Sequence, residues 1–150
     1  MKHSYKHVQA SLLKFINQQA EAMGITALNL DAYPDIESLP AGDQLGLTGL
    51  GMTESDQIEE VTAMFVAITE SDANNMRLSD RVSALYDACK AEEQIPLVHC
   101  ETGEWLGRLV MARGATVFPV QRHAQTKAAQ SVSFIAFVLI GTDSLSQESQ

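Results

Sequence analysis

Apolar residues recur along this chain with two different periods, and the switch between them divides it into helices and strands. Val8, Leu12, Phe15, Ile16 and Met23 return at intervals of three and four, with Ala20 filling the stripe. That spacing predicts an amphipathic helix over 4–23. Ser4 is placed to cap its start, and Gly24 to end it in a left-handed conformation. From Gln57 to Thr69 the period falls to two: Val61, Ala63, Phe65 and Ala67 alternate with Thr62, Met64, Val66 and Ile68. This is a strand. Ser71–Asn74 reads as a turn, followed by a second helix from about Asn74 to Glu92. Its stripe is Leu78, Val82, Leu85 and Cys89, widened by Tyr86. Three strands close the chain: Trp105–Ala112, Thr116–Arg122 and Gln130–Ile140. In the last, Val132, Phe134, Ala136, Val138 and Ile140 form one row and Ile135, Phe137 and Leu139 the other. A strand apolar on both sides must be covered twice.

The segments between these elements are less regular. Ile25–Leu30 is short enough for one small strand. Tyr33–Pro40, with prolines at 34 and 40, reads as irregular and extended. Residues 41–56 hold glycines at 42, 46, 49 and 51 without a fixed period, and read as a mobile loop. Leu45, Leu47, Leu50 and Met52 make that loop apolar, so it is expected to order against a partner. Ile95–Glu104 reads as a short extended piece and a turn at Thr102-Gly103. Pro119 breaks the donor row of its strand, which suits an edge or a bulge. His123–Ala129 is a polar loop and 141–150 a flexible tail. The expected fold is a single α+β domain: a two-layer sandwich, mainly antiparallel sheet, with two amphipathic helices on one face. Two helices cover only one face, so the other is expected to meet a second copy of the chain.

Composition sharpens this picture in a few places. The 150 residues carry 45% hydrophobic and 19% charged residues, as a packed fold requires. The formal charge of −9 is uneven. Residues 1–20 hold three lysines and no acid, 21–101 three basic and sixteen acidic residues, and 102–150 four basic and three acidic ones. An acidic middle disfavours a general nucleic-acid surface, which needs clustered Lys and Arg. It suits a surface that DNA must pass without sticking. Cys89 and Cys100 are too few for a disulfide framework. The N-terminus lacks the apolar run of a secretory signal, and no run of about 18 apolar residues predicts a membrane span.

Chemistry-bearing residues are sparse. His3 and His7 are spaced to share a helix face, but Lys2 and Lys6 would repel a cation beside them, and the pair reads as a solvated helix end. His99, Cys100, Glu101 and Glu104 form the densest polar cluster; a zinc site would want more cysteine or histidine at ordered spacing. A Cys–His nucleophile pair would want converging side chains, which neighbours on a strand do not give. The glycine series GDQLGLTGLGMTESD is neither GxGxxG before a helix nor followed by a phosphate-binding lysine. No enzyme activity, catalytic residue, cofactor or metal is therefore expected. Trp105 reads as a core or interface anchor. Arg108, Arg113 and Arg122 lie on or beside the hairpin. They, or the lysine-bearing first helix, are candidates for pairing with a neighbouring subunit's acidic middle, and Phe137 is a candidate on the apolar row where a second copy would dock.

The layout resembles the tail terminator proteins of long-tailed bacteriophages. The residues that carry it are the first helix, the proline-bearing AYPDIESLP, the strand EEVTAMFVAITES, the helix NNMRLSDRVSALYDAC and closing hairpins ending VSFIAFVLIGT. It covers roughly residues 5–140. The resemblance implies a virion protein, assembled in the host cytoplasm, that forms a ring, usually a hexamer. The ring would stop growth of the tail tube and join the tail to the neck or head. Its partners would be itself, the tube and possibly a sheath protein, and a neck or connector protein, with DNA only passing through the lumen and no membrane. Two alternatives remain open at this point: another head–tail connector or tail completion protein, and a small cytoplasmic enzyme or ligand-binding domain using His99, Glu101, Glu104 and Trp105.

Overall fold

The computed structural model describes residues 4–112, 114–123 and 126–141. His3, Arg113 and the 142–150 part of the expected tail lie outside the described residues. The fold is mixed α+β, with two helices and one antiparallel-rich sheet of eight strands. The helices are α1 (Ser4–Met23) and α2 (Met76–Ala88). The strands are β1 (Thr26–Asn29), β2 (Gln44–Ser55), β3 (Ile58–Glu70), β4 (Gln94–Val98), β5 (Trp105–Met111), β6 (Thr116–Val117), β7 (Gln121–His123) and β8 (Lys127–Ile140). Their spatial order is β1-β2-β3-β8-β5-β4, and β6 and β7 also pair with β8. Only β1 and β2 run parallel among the described strands; the other pairs are antiparallel.

β8 is the centre of the sheet. One edge pairs with β3 from Glu60↔Phe137 to Glu70↔Lys127. The other pairs in turn with β5, β6 and β7. The run expected at Thr116–Arg122 is split into two short strands, with Phe118–Val120 outside either. Pro119 has no N–H to give the ladder there, while Phe118 still donates to the Ser131 carbonyl at 2.9 Å. β8 also begins at Lys127, within the stretch expected to be loop.

The largest difference from the sequence reading lies at 41–56, which is a strand through most of its length. Leu45 pairs with Ala67 and Leu47 with Phe65, and both leucines are fully buried. The register then slips between Thr48 and Gly51, and resumes with Gly51 opposite Thr62 and Met52 opposite Val61. This bulge moves the apolar phase from odd positions (45, 47) to even ones (50, 52), so the sequence shows no single period. Gly49 takes the bulge's left-handed backbone, at φ +68°.

α1 touches β1 and β2 near one edge of the sheet and also β4 at the far edge. On a flat sheet β2 and β4 would stand roughly 19 Å apart, four strand spacings. A helix about 10 Å across cannot reach both. The sheet curls, and α1 sits where its two margins approach. α2 lies on β3, β8 and β6. Val8, Leu12 and Ile16 of α1, Leu78, Val82 and Leu85 of α2, and the rows Val61-Ala63-Phe65 and Val132-Phe134-Ala136 form one buried cluster. Phe65 is at its middle, 5.6 Å from the Phe15 ring and 4.8 Å from that of Phe134. Each large side chain buried there contributes about 1.5–3 kcal/mol.

Gly24 ends α1 as expected, at φ +74°, and the Ile25 N–H returns to the Ala20 carbonyl at 2.9 Å. α2 is shorter than its stripe suggested. Asn74 and Asn75 both take positive φ before it. The Asp72 carboxylate accepts from the N–H groups of Arg77 and Leu78 at 3.1 and 2.9 Å, so the cap comes from outside the helix.

The opposite row of β3 and β8 is covered at one end by the chain itself. Val66, Ile68 and Ala129 pack with Leu39 in a second cluster, flanked by Leu28, Leu30, Tyr33 and Ile36. The proline-bearing segment is therefore a strap, shaped by two short 3-10 turns at Leu30–Ala32 and Ile36–Ser38. Asp35 holds the second turn by accepting from the Ser38 N–H at 2.9 Å.

Candidate functional site

Beyond the strap, the same row of the sheet is open. Ile58, Ile135 and Leu139 of that row are exposed, at 38–52% of their full accessible surface, Phe137 and Val110 are half-buried beside them, and Ile140, at the end of β8 on the other row, is exposed as well. The register explains the grouping: Thr62 lies opposite Ile135, Glu60 opposite Phe137, Val110 opposite Phe137 on its other side, and Arg108 opposite Leu139. Ile58, Val110, Phe137, Leu139 and Ile140 line a groove of about 470 Å³. Contiguous apolar surface of this kind marks an interaction site more often than single exposed leucines do.

The interface residues expected from sequence fall in different places. Leu45 and Leu47 are core, because β2 is a strand inside the sheet rather than a loop. Leu50 and Met52 are half-buried and also pack on the main cluster. Leu45 and Leu47 are thus closed to a partner, while Leu50 and Met52 keep part of their surface exposed. Trp105 is 41% exposed, and its ring lies where a side chain at Gly141 would be. It closes the open end of the β5–β8 pair. Arg108 is half-buried on β5, Arg122 is exposed on β7, and Arg113 is outside the described residues. Of the eight that are described, Phe137 alone lines the apolar groove.

A second grouping joins α1 to the end of β4. His7 is buried on α1, a place the sequence reading gave to a solvated helix end. Its Nδ1 accepts from the Cys100 N–H at 3.1 Å. His99 Nδ1 accepts from the N–H groups of Glu101 and Thr102 at 3.1 and 3.4 Å. The two imidazoles are 4.5 Å apart between ring centres, tilted by 44°. Donor atoms of His7, His99 and Cys100 all lie within 4.8 Å of one another. Residues 99–104 form a turn, closed by the His99 N–H on Glu104 O at 2.8 Å and the Gly103 N–H on His99 O at 3.0 Å. That turn lets adjacent residues converge, which a strand would forbid. One turn further along α1, buried Ser11 donates to the His7 carbonyl and accepts from the Val98 N–H, each at 2.8 Å. These bonds fix the helix against β4 and so fix His7 over the turn. His7 and His99 were legible singly, but their meeting depends on the curl of the sheet.

Electrostatics elsewhere tie elements together. Burial alone would raise the Asp43 carboxyl, but hydrogen bonds from Arg77, the Glu70 N–H and Arg81 outweigh it and hold it at about 2, against an ordinary 3.8. Arg77 Nε donates at 2.8 Å, and Arg81 makes a second ion pair with the same carboxylate. The start of β2 is thus fastened to α2. Burial pushes the Cys89 thiol up to about 12, so it behaves as a small hydrophobe. No helix among the described residues is long and apolar enough to cross a membrane. No family model matches the chain, and no curated protein matches its sequence.

Proposed function

We propose that this chain is a structural assembly subunit that self-associates through the open row of its sheet. In this reading the subunits close into a ring that caps a phage tail tube and joins the tail to the neck. The observation that carries the proposal is the apolar groove around Phe137, left uncovered where the strap ends. At roughly 25 cal/mol per Å², such surface gains from burial against another protein. A contact that buries one patch against a different patch, and closes by rotation, gives a ring. The two-layer arrangement, with both helices on one side of the sheet and the docking row on the other, belongs to the same reading. So does the resemblance of its sequence layout to tail terminators, and the acidic charge suits a lumen that DNA must traverse.

The test is direct. Multi-angle light scattering over a wide concentration range would report self-association. Electron microscopy of purified tail tubes mixed with the protein would report capped ends. A protein that stays monomeric throughout and leaves tube ends bare overturns the proposal.

A further inference from the structure

We infer that His7, His99 and Cys100 form a binding site for a borderline-soft divalent transition-metal ion, with zinc the best match. Two imidazoles and a thiolate are the donors that zinc prefers, and three protein donors leave a position open for a fourth. Glu101 and Glu104, exposed on the same turn, or a water, can take that position. The sequence lacked one histidine for such a set. The fold supplies it from α1, 93 residues before Cys100.

The geometry is near to a metal-bound one. Metal–nitrogen and metal–sulfur bonds of about 2.0–2.3 Å place tetrahedral donors roughly 3.3–3.8 Å apart. Donor atoms already within 4.8 Å need to close by about 1 Å, within the reach of side-chain rotation on a turn. His7 is the fixed member, on a helix pinned by Ser11. His99 and Cys100 are half-buried on a turn that solvent reaches.

The hydrogen bonds specify what binding must change. A neutral imidazole has one nitrogen with a free lone pair, and in both rings that nitrogen, Nδ1, accepts backbone N–H groups. A metal at Nδ1 displaces those N–H groups. A metal at Nε2 moves the ring proton to Nδ1, which then cannot accept. Either route releases the N–H groups of Cys100, Glu101 and Thr102 and deprotonates the Cys100 thiol. Loading is therefore coupled to rearrangement of the 99–104 turn. Capping of turn amides accounts for two imidazoles in the metal-free protein; it gives the converging thiol no role.

Cobalt(II), a spectroscopic stand-in for zinc, tests the site in the reduced full-length chain without a histidine tag. One equivalent is expected to produce a thiolate-to-cobalt charge-transfer band and intense tetrahedral d–d bands, both abolished by added zinc. In NMR spectra the amides of Cys100, Glu101 and Thr102 should shift at the same stoichiometry. Cys100→Ser should remove the charge-transfer band, and His99→Gln should weaken binding at least tenfold. His99→Gln also removes the ring packed on His7, whereas Ser11 still holds α1 against β4 in both variants, and Cys100→Ser keeps both imidazoles. His123→Gln, on β7 beside the strap, should bind as the parent does. Absence of the charge-transfer band at one equivalent overturns the inference. So does cobalt binding that survives Cys100→Ser and His99→Gln unchanged, or that is lost in His123→Gln alone. Light scattering of the same samples reads self-association separately, so failure here leaves the ring proposal standing or falling by itself.

Discussion

Gly46 of β2 lies directly beneath the side chain of Leu30, and a Cβ at position 46 would overlap three of its carbon atoms. The strap crosses the sheet at this point only because the strand has no side chain there. Gly46→Ala would push Leu30 out of the second cluster. A loss of about 1–3 kcal/mol is expected in denaturant unfolding, the usual range for overpacking. The double variant with Leu30→Ala should be little worse than Leu30→Ala alone, because the clash is then gone. Strictly additive costs would show that the two residues do not share the space.

Asp43 makes stability depend on acid pH. Its folded value of about 2 lies below the ordinary 3.8. The stabilisation is therefore fully present above pH 3.8 and is lost as the pH falls toward 2. Each pH unit between the folded and ordinary values corresponds to about 1.4 kcal/mol, so the contribution is about 2 kcal/mol. Asp43→Asn should remove about that amount at neutral pH and flatten the stability curve across the same window. A curve parallel to that of the parent protein would exclude Asp43 as the source.

Ser11 joins α1 to β4 through a buried N–H. Ser11→Ala leaves the Val98 N–H without its side-chain acceptor, in a place where water does not substitute readily. A cost of about 1–3 kcal/mol is expected. Hydrogen exchange at Val98 should rise with it, and unchanged protection there would mean that another acceptor takes over.

Phe137 is the position at which the proposed assembly can be tested apart from folding. It is half-buried, between Glu60 and Val110. Phe137→Asp should leave a cooperative thermal transition while abolishing the higher-mass species in light scattering. Leu139→Asp, at a position 42% exposed, should do the same with less cost to folding. Unaltered association in both variants would move the interface elsewhere.

The local elements were largely legible. The stripe through Val8, Leu12 and Ile16, the alternation through Val61 and Phe65, and the two-sided run ending at Ile140 each carry their own periodicity. Helix and strand periods are set by backbone geometry within a few residues, so a sequence can show them unaided. β2 escaped because its glycines removed the pattern on one row and its bulge reversed the phase on the other. Those features answer to Leu30 above and to the register of β3 beside it, both distant in sequence. The candidate sites followed the same division. Phe137 could be placed on an apolar row from sequence, but whether that row would be covered depended on where the strap ends. His99 and Cys100 could be recognised as donors, but not given His7. The sequence determined which residues share a side of each helix and strand. Tertiary structure decided which sides meet, because a sheet curled around α1 brings its opposite margins together, and that curvature is a property of the paired strands rather than of any one of them.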